Sequence, residues 1–218
     1  MNFNSRIASI YDKQFKLHGA RPEASFWFSG FRQHTRFEII TNEIRSLEQD
    51  RPVSICDLGC GYGAYAEYLS YKTTPKISNY LGLDISAEVI KFCQSNYGYP
   101  WAKFEKANNL KNKMDYIVMS GTFNYAATSN VKKWEAHLYK NLIQCFDKTN
   151  RAMIFNLQLS DGPSKIGKKN IYYANPTNVA QFCRAAFGNC KVINNPLLKR
   201  DITYLVEGKF SQSSSINI

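Results

Sequence analysis

Three glycines at alternate positions follow an aspartate in residues 53–63, whose sequence is VSICDLGCGYG. The alternating β-branched and small residues before Asp57 predict a short buried strand. The small, aromatic and aliphatic residues after Gly63 predict the first turns of a helix. Because glycine has no side chain and tolerates positive φ, such a strand, turn and helix bring backbone close to a nucleotide-like ligand. We therefore interpret this segment as the centre of a binding site.

A second carboxylate follows about twenty residues further on, a spacing typical of nucleotide-binding folds. Asp84 ends the apolar run YLGLD at 80–84, which predicts a second strand. An acidic side chain at the tip of that strand can accept hydrogen bonds from both hydroxyls of a ribose. The two segments together predict a site for a ribose-containing ligand.

The glycine spacing is compatible with more than one ligand class. Gly59, Gly61 and Ala64 also match the dinucleotide fingerprint of nicotinamide enzymes. Asp57 would crowd a pyrophosphate there, whereas its carboxylate suits a ligand that carries an ammonium group. Gly63, a third glycine, opens the turn more widely than the dinucleotide fingerprint requires. A glycine turn that binds nothing is a third interpretation.

Two motifs resemble those of class I S-adenosylmethionine-dependent methyltransferases: DLGCGYG at 57–63 and LDIS at 83–86. The resemblance covers nearly all of residues 30–208. It implies S-adenosyl-L-methionine as cofactor, S-adenosyl-L-homocysteine as product, and a glycine backbone that lets the methionine part approach. The cofactor-binding residues that it implies are Asp57 for the ammonium group, Gly59, Cys60, Gly61, Gly63, Asp84 for the ribose, Ile85 for the adenine face, Asn108 for the adenine amino group, and Ser120. The Asn108 role could shift to Asn109.

Shorter segments resemble a bacterial subgroup of this family whose members often have no assigned substrate. They are SGTFN at 120–124, FN at 155–156, YYANP at 172–176 and QHTRF at 33–37. The match supports methyl transfer as the type of reaction, but it says little about the methyl acceptor. Within the last segment, Arg36 could pair with the cofactor carboxylate or an acidic substrate, or could be a plain surface arginine.

Methyl transfer from an activated sulfonium needs positioning and desolvation more than acid–base chemistry. A hydroxyl acceptor can still need a base, for which His18 and Tyr11 are candidates and Asp12 a weaker one. Asn124 and Asn156 are further catalytic candidates, at the expected tips of the fourth and fifth strands. Because these tips carry Ser and Asn rather than paired Asp, we expect no metal site.

Strands and helices that alternate along the chain must position these residues. The pattern predicts an α/β three-layer sandwich with a Rossmann-like, mostly parallel, seven-stranded sheet and an antiparallel C-terminal strand. The expected strands are at about 53–57, 79–84, 101–106, 116–119, 152–156, 191–193 and 203–206.

Residues 1–210 are expected to form a single methyltransferase domain, followed by a flexible tail at 211–218. Residues 1–31 would be an N-terminal cap, with an aromatic group of Phe26, Trp27, Phe28 and Phe31 that folds over the site or pads the sheet. Residues 157–171 would be a loop or lid.

Composition limits the protein class. Among its 218 residues the chain has six cysteines without a Cys-x-x-Cys pair, so free thiols are favoured over zinc. Neither a signal-peptide run nor a membrane span of about 20 apolar residues is seen, so we expect a cytoplasmic location and no membrane partner. The net charge of +11 suits either nucleic acid or plain solubility.

The sequence thus predicts a methyltransferase that acts on a small polar metabolite or sugar, by O- or N-methylation. An RNA methyltransferase and a non-catalytic binding protein with a cofactor-type fold are the alternatives, and a NAD-dependent oxidoreductase is a weaker one. The sequence does not predict the oligomeric state.

Overall fold

The computed structural model of the chain describes residues 3–25, 29–48 and 50–208. Phe26, Trp27 and Phe28 of the expected aromatic group, and the expected tail, lie outside these residues. The chain divides into two compact units, residues 1–110 and 111–218, each of which is described by itself. The expectation of a single domain stays a prediction.

The first unit is a three-stranded parallel arrangement with helices before and between its strands. Strand β2 lies between β1 and β3 and is parallel to both. The elements in chain order are α1 Phe3–His18, a 3-10 turn Pro22–Ser25, α2 Gly30–Leu47, β1 Val53–Leu58, α3 Ala64–Ser70, β2 Ile77–Asp84, α4 Ala87–Asn96 and β3 Ala102–Lys106.

Local sequence accounts for the helices of this unit. The apolar residues Phe37, Ile40 and Ile44 of α2 are spaced by three and four residues, so they share one face of the helix, and that face is buried. Ser86 is the N-cap of α4, and its hydroxyl oxygen accepts a hydrogen bond from Val89 N at 3.2 Å.

In the second unit β5 is the longest strand and has three partners. Strands β4 and β7 are parallel to β5, whereas β9 is antiparallel to it. Strand β8 is antiparallel to β9, and β6 to β7. The elements are β4 Met114–Met119, α5 Val131–Phe146, β5 Thr149–Leu159, β6 Lys165–Ile166, a 3-10 turn Lys168–Asn170, β7 Tyr172–Ala174, α6 Pro176–Phe187, β8 Lys191–Asn194, a 3-10 turn Pro196–Leu198 and β9 Asp201–Glu207.

The predicted α/β fold class, with mostly parallel strands and an antiparallel C-terminal strand, is confirmed. The described residues form nine strands rather than seven, because two short strands, β6 and β7, are present. The expected loop at 157–171 is only partly irregular, since β5 continues to Leu159 and β6 pairs with β7 around a turn. Ile166 of β6 and its partner Tyr172 of β7 are of residue types that favour strand pairing.

Within the residues that the structure describes, no helix combines the length and the apolar character needed to cross a bilayer.

Candidate functional site

The glycine turn that follows β1 has positive φ angles, a backbone conformation that residues with a side chain rarely adopt. Gly59, Gly61 and Gly63 have φ values of 78°, 53° and 83°. Two N–H groups, of Gly59 and Cys60, donate to the Leu83 carbonyl at 2.7 and 3.0 Å. The turn is therefore fastened to the end of β2.

Gly63 has no room for a side chain. A Cβ at this position would lie 2.5 Å from Cε2 of Tyr97. The Tyr97 ring is itself packed against Phe92, Tyr99 and Phe104, with ring centroids 5.6–6.1 Å away. Glycine is thus required here both by backbone conformation and by space.

The Asp84 carboxylate connects the glycine turn to the N-terminus of α4. Its Oδ2 accepts from Gly61 N at 3.0 Å, and its Oδ1 accepts from Ser86 N at 2.9 Å. Burial raises the pKa of Asp84, the hydrogen bonds from Ser86, Gly61 and Ile85 oppose the rise, and the nearby Asp12 carboxylate adds to it. Asp84 therefore lies where the sequence placed it, at the tip of β2 and beside the turn.

Asp57 lies at the end of β1 and is only 2% exposed. Its Oδ2 accepts a hydrogen bond from the Tyr80 hydroxyl at 2.6 Å. Burial raises the pKa of Asp57 to about 7; the Tyr80 hydrogen bond opposes this rise and the charge of Asp84 adds to it. This carboxyl group therefore changes charge near neutral pH, where a ligand cation could ionise it.

We expect the stability conferred by a protonated Asp57 to be lost as pH rises to about 7. Above the ordinary carboxyl pKa of about 3.9, the unfolded chain releases this proton while the folded chain still holds it, so stability falls with pH in that window. Asp57→Asn keeps an acceptor for Tyr80 but cannot titrate. Urea denaturation should show the wild type losing stability relative to Asp57→Asn across the window, with no further change above it. A pH-independent difference would mean that Asp57 has an ordinary pKa.

Helix α1 reaches the same end of β2. The Ser86 hydroxyl donates to Oδ1 of Asp12 in a short hydrogen bond. The helix is also attached to α4 by Phe15 against Phe92, with centroids 5.4 Å apart, and by an ion pair of Lys16 and Glu88 at 3.5 Å. The structure thus assigns Asp12 a contact that sequence reasoning missed.

The two stronger base candidates also lie on α1. Tyr11 directly precedes Asp12, and His18 is the last residue of the helix. Both side chains are half-buried. Their roles toward an acceptor stay predictions.

Tyr62, between two of the glycines, is a second residue that sequence reasoning missed. Its hydroxyl donates to Gln33 Oε1 at 2.8 Å, and burial raises its pKa to about 12. The side chains flank a cleft of about 390 Å³ that includes residues of α2 and α3. The signal available in the sequence was the QHTRF motif itself, which contains Gln33.

In the second unit, Asn156 holds the segment that follows β4. It is 1% exposed; its Oδ1 accepts from Gly121 N at 2.8 Å, and its Nδ2 donates to Asp201 at 3.3 Å. Asn124 is 6% exposed, and its Oδ1 accepts from Gln158 N at 3.1 Å. The observed contacts of both amides are internal, while Ser120 beside them is half-buried.

The remaining candidates differ in exposure. Arg36 is 1% exposed, so the interpretation as a surface arginine is wrong: it lies on the same face of α2 as Phe37 and Ile40. Ile85 is half-buried after β2, and Asn108 is exposed after β3. Among the described residues, no group of three or more His, Cys, Asp or Glu side chains could hold a metal ion.

Comparison with known proteins gives two sequence matches. The model of a family described as a methyltransferase domain matches residues 55–143. The protein of Mycobacterium tuberculosis H37Rv named "Putative methyltransferase Rv1506c" is 30% identical over 167 residues, which cover 75% of this chain and 98% of that protein.

Solved structures share the fold at low sequence identity. Magnesium protoporphyrin IX methyltransferase (ChlM) from Synechocystis PCC 6803, with bound SAM, has a TM-score of 0.66 at 11% identity and covers 96% of this chain and 98% of its own. A SAM-dependent methyltransferase from Leishmania major has a TM-score of 0.70 at 14% identity, over 94% of this chain and 83% of its own. These likenesses show the fold.

The relationship to the mycobacterial protein spans nearly its whole length, and the matched region contains the glycine turn, Asp84 and the segment after β4. The chain belongs to the class I S-adenosylmethionine-dependent methyltransferases.

Proposed function

We propose that the glycine turn and Asp84 bind S-adenosyl-L-methionine and that the protein methylates an oxygen or nitrogen of a small polar metabolite or sugar. The observation that carries the cofactor assignment is the Asp84 carboxylate, which is hydrogen-bonded to Gly61 N and Ser86 N beside the turn. Family membership removes the nicotinamide interpretation.

The residues at the turn fit a cationic cofactor. Two carboxylates, Asp57 and Asp84, stand next to a glycine backbone with positive φ values, so they offer charge compensation without bulky side chains. When bound, the cofactor supplies a methyl group on a positively charged sulfur. We assign the ammonium group to Asp57, the ribose hydroxyls to Asp84 and the adenine face to Ile85.

The other cofactor contacts are proposed from the family pattern together with burial. Asn108 is exposed after β3, as a residue that reads an adenine edge should be. A guanidinium that is buried, like that of Arg36, needs an anionic or hydrogen-bonding environment. We propose that Arg36 pairs with the carboxylate of the cofactor because it belongs to the QHTRF segment at 33–37, which resembles the family pattern.

The polarity of the segment after β4 supports a small polar acceptor. Ser120 and Thr122 are half-buried, and Asn124 and Asn156 shape the backbone around them. Because the leaving group is already activated, these residues need only hold the acceptor in line and exclude water. For a hydroxyl acceptor, we assign the base to Tyr11 or His18.

RNA is the second candidate acceptor, and the net charge of +11 favours it. Binding to phosphates would weaken steeply as salt rises. A chain that binds cofactor and transfers no methyl group would fit the third candidate, a non-catalytic binding protein.

Methyl transfer into a cell extract tests the proposed function. The intact protein is incubated with S-adenosyl-L-methionine labelled on its methyl group, and the products are separated into small molecules, RNA and protein. We expect the label in the small-molecule fraction. Label in RNA would establish the second candidate, and a lack of label in every fraction would contradict an enzymatic role.

A further inference from the structure

The turn between β6 and β7 has an unusual backbone. Lys169 and Asn170 are consecutive, and both have a φ of 58°. Residues other than glycine avoid this left-handed region because their Cβ atom comes too close to the following carbonyl oxygen. Such a conformation persists only where the surrounding structure enforces it, and it is concentrated at ligand-binding segments.

Hydrogen bonds to residues 124–126 enforce this backbone conformation. Ala126 N donates to the Asn170 carbonyl at 2.8 Å, and Asn170 Nδ2 donates to the Tyr125 hydroxyl at 3.2 Å. Tyr125 and Ile171 form an antiparallel bridge, and Tyr172 N donates to the Asn124 carbonyl at 2.8 Å. The turn is therefore fixed to residues 124–126.

The base of the turn is fixed as well. Gly167 N donates to the Ile171 carbonyl at 2.8 Å and closes the hairpin. A Cβ on Gly167 would lie 2.8 Å from Cε2 of Tyr173, so the ring packs directly on the backbone. The turn is thus held at both ends and is not a free loop.

This turn leads into the amino end of β7, and its hydrogen bonds attach it to the segment that follows the carboxyl end of β4. Residues 124–126 belong to the segment that leaves β4, and Asn156 of β5 binds Gly121 of that segment. Ligands of open α/β sheets bind beyond the carboxyl ends of the strands. The segment to which the turn is hydrogen-bonded therefore lies at the edge where such ligands bind.

The side chains of the turn give this edge a positive charge. Lys165, Lys168 and Lys169 are exposed, and the connection from 160 to 171 contains one acidic residue, Asp161. Three lysines against one aspartate leave a net charge of +2 on a short, fixed segment. Lysine binds carboxylate and phosphate groups as a compact point charge.

We propose that the lysine turn, residues 165–170, binds an anionic group of the methyl acceptor, so that the acceptor is a small metabolite with a carboxylate or a phosphate. The inference rests on the proposed function and narrows its substrate class. The enforced backbone fixes the Cα positions of the lysines before the acceptor arrives, so no backbone ordering is needed and less entropy is lost on binding.

The test combines product charge with charge removal. The small-molecule fraction of a cell extract serves as acceptor for labelled methyl transfer, and the products are passed over an anion-exchange resin at neutral pH. The test variant is Lys168→Gln with Lys169→Gln. The control is Lys132→Gln with Lys133→Gln, an equal charge change at two exposed positions near the start of α5.

We expect the labelled product to be retained on the resin and eluted by salt. At limiting acceptor, the test variant should incorporate label about tenfold more slowly, since loss of a charge-assisted contact has that magnitude. Excess acceptor should restore most of the rate. The control should keep the wild-type rate, and both variants should keep the wild-type melting temperature and affinity for S-adenosyl-L-homocysteine.

Three outcomes would overturn the inference. These are a labelled product that passes through the resin uncharged, an equal loss of rate in the control, and a wild-type rate in the test variant at limiting acceptor. Phosphatase treatment of a retained product distinguishes a phosphate from a carboxylate, and either supports the inference. A lack of any labelled small molecule would overturn the proposed function, and this inference with it.

Discussion

Replacement of Asp84 by asparagine is expected to weaken binding of S-adenosyl-L-homocysteine by about 10- to 100-fold, equivalent to about 1–3 kcal/mol. The carboxylate accepts from Gly61 N and Ser86 N and, in our proposal, from the ribose hydroxyls. An amide nitrogen in place of one oxygen cannot accept these hydrogen bonds. Isothermal titration calorimetry of the purified protein measures the change in affinity.

Glu105→Gln is the matched control for this experiment. Glu105 is an exposed carboxylate in β3 of the same unit, so the substitution removes the same charge away from the turn. We expect its affinity to equal that of the wild type. Equal affinities for Asp84→Asn and the wild type would contradict the assignment of Asp84 to the ribose.

Gly63→Ala is expected to lower the free energy of unfolding by about 2–5 kcal/mol and to abolish measurable cofactor binding. Left-handed φ for an L residue costs about 1–2 kcal/mol, and overpacking against a fixed ring costs about 1–3 kcal/mol. The φ of 83° and the 2.5 Å approach to Tyr97 are the two causes. Urea denaturation measures the first effect and calorimetry the second.

Gly188→Ala separates these two causes. Gly188 has a φ of 88°, close to that of Gly63, but no heavy atom lies within 4 Å of its would-be Cβ. Gly188→Ala should therefore lower the free energy of unfolding only by the cost of a left-handed φ, about 1–2 kcal/mol. If Gly63→Ala costs no more than Gly188→Ala, the Tyr97 ring yields to the new side chain and the close-packing argument fails.

Features that depend on neighbouring residues could be predicted from the sequence. The spacing of Gly59, Gly61 and Gly63 gave the turn, because only glycine suits such φ values. The N-cap role of Ser86 also depends on neighbouring residues, because a serine directly before an apolar helix face is typical of a helix start. Asp84 followed from its position at the end of an apolar strand.

Features that depend on distant residues could not be predicted in this way. Asp12 contacts Ser86 across 74 positions, and Asn156 contacts Gly121 across 35. Periodicity and turn signals carry no information about such pairs, since they describe only local geometry. The burial of Arg36 was missed for a related reason, because residue type favours the surface and tertiary packing overrides it.

The two short strands around the lysine turn illustrate the same limit. Gly162, Pro163 and Gly167 indicate turns, which favoured an irregular segment over 157–171. Strand β6 forms because Lys165 and Ile166 find partners in Tyr173 and Tyr172. A strand of two residues has too little pattern to be seen in the sequence alone.

A crystal structure of the intact protein with S-adenosyl-L-homocysteine tests the central claim most directly. The account predicts both ribose hydroxyls within hydrogen-bonding distance of the Asp84 carboxylate, the amino group near Asp57, and the amino-acid part of the ligand along the backbone of Gly59–Gly63. A ligand bound away from the glycine turn, or a ribose that does not contact Asp84, would contradict it.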